Sequence, residues 1–138
     1  MFSVIFPGQG SQLVGMGKDF FEKYNLVKDI FKEADDVLGI SLSKIILDGP
    51  KEELDLTANT QPAIFLISYS IYNVVKNEFQ LDLNKAKYFA GHSLGEYSAL
   101  SCAGYLEFFL QKRTFSFELK NLKNFLTIDQ IYNFLRLY

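Results

Sequence analysis

A length of 138 residues allows one modest domain and leaves no room for an enzyme with separate substrate lobes. The chain is 49% hydrophobic and 22% charged with a formal net charge of -2, a globular composition that argues against nucleic acid or an anionic membrane surface as the principal partner. Cys102 is the only cysteine, which excludes an internal disulfide framework and a multi-cysteine zinc site; no metal is expected, and the simplest compartment is a reducing cytoplasm.

The chain opens on "SVIF" at 3–6, a short β-branched and aromatic run that reads as a strand. It stops at "PGQGSQLVGMG", where four glycines in eleven residues predict a loop. The opening stretch lacks a basic region and meets a proline after six residues, so it does not read as a secretory signal. From Lys18 the apolar positions Phe20, Phe21, Tyr24, Val27, Ile30, Phe31, Ala34, Val37 and Leu38 keep a helical period, and one amphipathic helix ending near Gly39 is expected. After "DGP" at 48–50, Asn59 or Thr60 is expected to cap a second, mostly buried helix with Pro62 near its first turn. Its apolar stretch "PAIFLISYSIYNVV" has 14 residues including two serines, two tyrosines and an asparagine, fewer than the roughly 20 that a membrane helix needs.

"AKYFAGHS" reads as a buried strand feeding a tight turn, and "LGEYSALSCAG" as a helix ending near Gly104. Ser93 then lies at a strand-to-helix junction. There its hydroxyl would stand exposed, with Gly91 and Gly95 leaving room for a sharp turn and close packing of strand on helix. The first-turn N–H groups of such a helix have no intrahelical partners and point toward charge developing beside the serine. The plain alternative is that a G-x-S-x-G of this kind arises by chance and that the serine only caps the helix. Two further clusters stand against that alternative: the glycine loop "PGQGSQ" after the first strand, and "TQPA" opening a helix. Acyl transfer needs a nucleophile and at least two N–H donors aimed at the oxyanion, one of them from another strand-end loop.

Together "FPGQGSQ", "TQPA" and "GHSLGEYSAL" resemble, in order and approximate spacing, the N-terminal signatures of the malonyl-CoA:acyl carrier protein transacylase family, over residues 1 to about 107. The resemblance implies an α/β fold, the N-terminal part of an α/β-hydrolase-like acyltransferase core. It implies that Ser93 takes malonyl from coenzyme A as an ester and passes it to the phosphopantetheine thiol of acyl carrier protein. The oxyanion hole would be the backbone N–H groups of Gln9 and Leu94, and Gln61 would line the acyl pocket. Malonyl-CoA and the carrier protein enter as substrates, and no cofactor is implied. His92, the sole histidine, adjoins the nucleophile on a tight turn where side chains diverge, so it is read as supporting the turn or contacting the acyl group.

Members of that family are roughly twice this length. Their later half carries the histidine base and a small ferredoxin-like subdomain, both absent from this sequence. Loss of the base in serine enzymes costs about 10⁶ in turnover, so the chain by itself is expected to be nearly inactive unless another polypeptide supplies the missing half. The family's carboxylate-binding arginine has no secure counterpart, since the segment around Arg113 departs from its pattern. Residues 108–138 form a divergent tail: no glycine, proline or alanine follows Gly104, while residues 105–138 hold six of the fourteen phenylalanines. Two readings of this tail stay open. One is a shifted reading frame. The other is a selected tail with two short helices, on the spacing of Phe115, Leu119, Leu122 and Leu126 and a capping-box pattern at Thr127 and Gln130. Two other functions also stay open: a noncatalytic fragment binding acyl carrier protein or a partner subunit through an unfinished sheet edge, and a serine thioesterase or esterase, which shares G-x-S-x-G but does not call for the other two clusters.

Overall fold

The computed structural model describes residues 2–79 and 81–105. The tail expectations, including Arg113 and both tail helices, lie outside the described residues. Two parallel strands, β1 (Phe2–Phe6) and β2 (Ala86–Gly91), pair in the register Ser3 with Tyr88 through Phe6 with Gly91, with one irregularity between Phe2 and Ser3. Between them run five helices: α1 (Lys18–Lys23), α2 (Asn25–Leu38), α3 (Leu42–Asp48), α4 (Lys51–Asp55) and α5 (Thr57–Glu78). A 3₁₀ turn at Leu83–Lys85 leads into β2, and α6 (Leu94–Cys102) follows it.

The helix expected from Lys18 to Gly39 is two helices. Tyr24 is extended (φ −114°, ψ 119°) between them, and with that break Phe21 rests against Phe31, ring centroids 5.1 Å apart. The apolar period runs on through Tyr24, which is why the pattern alone reads as one element. Within α2 the residues Val27, Ile30, Phe31, Ala34 and Leu38 are buried along one stripe, and Gly39, left-handed at φ 66°, ends the helix by donating its N–H to the Asp35 carbonyl at 2.9 Å. The Asp35 side chain then receives the Ser43 N–H at 2.9 Å and the Ser43 hydroxyl, holding the first turn of α3.

Helix α5 begins earlier than expected, at Thr57, which puts Pro62 in its second turn. Asn59 and Thr60 do not cap it. Asn59 Nδ2 donates to the Glu53 carbonyl at 2.8 Å, and the Thr60 hydroxyl lies 2.6 Å from the Leu54 carbonyl and 3.1 Å from that of Leu56. These side chains satisfy the orphan carbonyls at the end of α4, a helix too short to show a period in the sequence. As expected, α5 is mostly buried: Ala63, Ile64, Phe65, Leu66 and Val74 meet the inner faces of α2, α3 and α4 in the main core. A second cluster of Phe6, Ala99 and Cys102, with Val4, Tyr72 and Phe89 against it, joins the sheet to α6.

The second strand was expected to be buried and is not. Phe89 and Gly91 face the helices, while Tyr88 is 58% exposed and Ile5 of β1 is 77% exposed on the opposite face. Among the described residues helices cover one side of this sheet only, so the apolar run of β2 is half buried.

Candidate active site

Both strands end at the same side of the molecule, as parallel strands must, and the three motif clusters gather there. After Gly91 the chain turns through His92 and Ser93 into α6. Ser93 has φ 54° and ψ −113°, the only positive φ outside glycine among the described residues. The turn is closed by the Gly95 N–H on the His92 carbonyl at 2.9 Å and the Glu96 N–H on the Ser93 carbonyl at 3.0 Å.

The glycines answer a packing demand. A Cβ on Gly91 would lie 2.1 Å from the Gly95 carbonyl carbon and oxygen, and one on Gly95 would lie 2.5 Å from the Phe6 carbonyl oxygen. A Cβ on Gly8 would sit 2.7 Å from the His92 carbonyl oxygen. Bare backbone from the end of β1, the end of β2 and the start of α6 therefore touches directly, and the 7–12 loop is pressed against the turn that bears Ser93.

Ser93 occupies the N-cap position of α6 and yet makes no capping hydrogen bond. That separates it from a serine present only to cap. Its side chain is exposed, and among the described residues its hydroxyl has no hydrogen-bond partner. His92 is exposed beside it, with its Nδ1 3.6 Å from where a Gly8 Cβ would stand. Leu94 is buried at 3% exposure and is the first helical residue, so its N–H has no intrahelical carbonyl to reach.

The loop is tied to α5 by side chains. Gln61 Nε2 donates to Gln9 Oε1 at 3.3 Å, and Gln9 Nε2 reaches Thr57 Oγ1 at 3.5 Å. Gln12 accepts the Gly10 N–H at 2.9 Å and donates to Asp55 Oδ1 at 3.0 Å, while Asp55 pairs with Lys51. The Lys51 hydrogen bond, with Gln12 second, holds the Asp55 carboxyl below the usual carboxylate range, and the same contact raises Lys51. On α6, burial first and the Glu96 charge second push the Tyr97 hydroxyl up. The structure thus brings Gln9 and Gln61 into contact and sets the Gly8 loop against His92 and Ser93. Sequence reasoning missed Thr57, Gln12 and Asp55; the polar residues just before "TQPA" were the available signal.

The sequence model of the acyl transferase domain matches residues 3–109. The malonyl CoA-acyl carrier protein transacylase of Haemophilus influenzae is 52% identical over 108 residues, covering 78% of this chain and 34% of the relative, and that of Escherichia coli K12 is 47% identical over 108 residues. This chain therefore spans about a third of the length of the curated relatives it matches. Among solved structures, an acyl carrier protein S-malonyltransferase from Vibrio cholerae superposes with a TM-score of 0.77 at 43% identity, over 88% of this chain and 37% of that one. A malonyl-transacylase in complex with a type II polyketide acyl carrier protein gives 0.77 at 39%, over 88% and 36%. A match over most of the chain, joined to a glycine-flanked serine at a strand-to-helix turn, places this chain in the acyl transferase domain family.

Proposed function

We propose that the chain carries the nucleophile-bearing third of a malonyl-CoA:acyl carrier protein transacylase. The observation that carries this reading is Ser93 itself: held at positive φ between two glycines at the end of a strand, capping nothing, with its hydroxyl free to react. The Ser93 oxygen attacks the thioester carbonyl of malonyl-CoA, a C–O bond forms as the C–S bond breaks, and the hydroxyl proton leaves with the coenzyme A thiol. The thiol of phosphopantetheinylated acyl carrier protein then attacks the ester, and Ser93 regains its proton. The N–H groups of Leu94 and Gln9 face the transient oxyanion; the first is a free helix-start donor and the second belongs to the loop pressed against the turn. Gln61 and His92 border the acyl group. This reading invokes no cofactor.

In this reading residues 1–107 are the N-terminal part of an α/β-hydrolase-like core, the ferredoxin-like subdomain lies outside the chain, and 108–138 is a divergent tail. The compartment is the cytoplasm, where the carrier protein substrate would be met. No helix among the described residues is long and apolar enough to cross a membrane. The test is intact mass after incubating the purified chain with malonyl-CoA, beside Ser93→Ala. A malonyl adduct that the variant lacks is the expected result. A folded chain that never acquires the adduct would sink the proposal and favour a noncatalytic binding role.

A further inference from the structure

Gln9 lies in a tight turn, and each of the two peptide planes that flank it is held by a side chain. The turn spans 8–11: the Ser11 N–H approaches the Gly8 carbonyl at 3.4 Å, and Gly10 stands in its third position at φ 104°, a backbone region that favours glycine. That backbone bond is long, and the Ser11 hydroxyl adds a shorter one to the same carbonyl at 2.8 Å. A trans peptide is planar, with its C=O and N–H pointing opposite ways, so holding the Gly8 carbonyl fixes the direction of the Gln9 N–H. On the other side the Gly10 N–H donates to Gln12 Oε1 at 2.9 Å, which holds the Gln9–Gly10 peptide. Gln12 is itself anchored on α4, because its Nε2 donates to Asp55 Oδ1 at 3.0 Å. An N–H at one end and a carboxylate at the other leave the Gln12 amide a single orientation.

Among the described residues the Gln9 N–H makes no hydrogen bond of its own, and Gly8 abuts the turn that bears Ser93. The Gln9 side chain is engaged elsewhere, with Gln61 and Thr57. We infer that Ser11 and Gln12, the latter braced by Asp55, are positioning residues: they clamp the peptides on either side of Gln9 and aim its N–H at the oxyanion that forms on Ser93. The inference rests on the proposed reading of Gln9 and Ser93 and deepens it, since Ser11 and Gln12 act through Gln9. A donor aimed in advance needs no reorganisation as charge develops, so the clamp acts on the rate of acylation more than on substrate binding.

The experiment times the labelling of Ser93 in the full chain by intact mass, with two probes. One is malonyl-CoA over a range of concentrations; the other is diisopropyl fluorophosphate, where the serine oxygen bonds to phosphorus as fluoride leaves with the proton. Ser11→Ala and, separately, Gln12→Glu, which sets one carboxylate against another, should each lower the maximal rate at least about tenfold with both probes, a part of the ~10²–10³ that a whole oxyanion donor supplies. The malonyl-CoA concentration at half that rate should move by less than about twofold. Ser11→Thr keeps the hydroxyl, and Gln12→Glu combined with Asp55→Asn rebuilds the bridge with donor and acceptor exchanged. Each should recover most of the lost rate, a rescue that general loosening of the loop would not give. Circular dichroism confirms that each variant is folded, and the two sites serve as independent trials. Folded variants that label at the original rate, a loss that neither rescue repairs, or a loss confined to the half-saturating concentration overturns the inference. A chain that takes the fluorophosphate but never malonyl fails the functional reading, and the clamp is then decided on the phosphorylation rates. Labelling by neither probe overturns both.

Discussion

The two ends of the same strand differ sharply. At its C-terminal end β1 meets Gly95 so closely that a methyl group would lie 2.5 Å from the Phe6 carbonyl oxygen, while one residue earlier Ile5 is 77% exposed. The turn that carries Ser93 is packed backbone on backbone, whereas among the described residues the two-stranded sheet that supports it has both outer edges unpaired and helices on one face only. The difference teaches that the geometry of the Ser93 turn is set by local contacts among residues 6–8 and 91–95.

Substitutions should break or sharpen this contrast. The largest effect is expected from Gly91→Ala, whose methyl would meet the backbone of Gly95 at 2.1 Å, where no side-chain rotation relieves it. A loss of at least about 3 kcal/mol in urea unfolding is expected, because overpacking here has to move main chain. Gly8→Ala meets the His92 carbonyl oxygen at 2.7 Å, but on a loop that can shift. It should cost about 1–2 kcal/mol and slow malonyl adduct formation in time-resolved mass spectrometry while the fold persists. On the open face Ile5→Thr should change stability by less than about 0.5 kcal/mol; a larger loss would mean that the isolated chain already covers this face.

The smallest effect is a titration. Asp55 has a lower pKa folded than unfolded, so its link to Gln12 is present above the ordinary carboxylate range and is lost as pH falls through the lowered value. The Gly10 amide resonance, whose N–H rests on Gln12, should therefore shift with a midpoint below that range. A midpoint at the ordinary value would show that the link does not hold in solution.

What the sequence made legible follows the range of the forces involved. The strand at 3–6, the glycine loop, the strand-to-helix turn at Ser93 and the helix ending near Gly104 all depend on neighbours within a few residues, and each stands where expected. The break at Tyr24 was hidden because apolar spacing continues through it. Helices α3 and α4 are seven and five residues long, too short to reveal a period. The start of α5 was misplaced because Asn59 and Thr60, good caps by type, bond backward to α4. Burial of β2 was overestimated because an apolar strand says what it could face, not whether a second layer is there. At the site, Gln9 and Gln61 were legible as separate motifs, whereas their contact and the Gln12–Asp55 tie depend on α4 and α5 meeting the loop.

Ser93 bears a backbone conformation that glycine would adopt without strain and serine does not, a local cost of about 1–3 kcal/mol. In the proposed reading, stability and chemistry are therefore opposed at a single residue. A replacement that lets the turn relax removes the hydroxyl, and one that keeps a hydroxyl on a bulkier, branched side chain deepens the strain. Random change selected for robustness alone would drift away from serine here, so a chain freed from catalysis would be expected to lose this residue before its surrounding glycines, whose replacement collides with main chain.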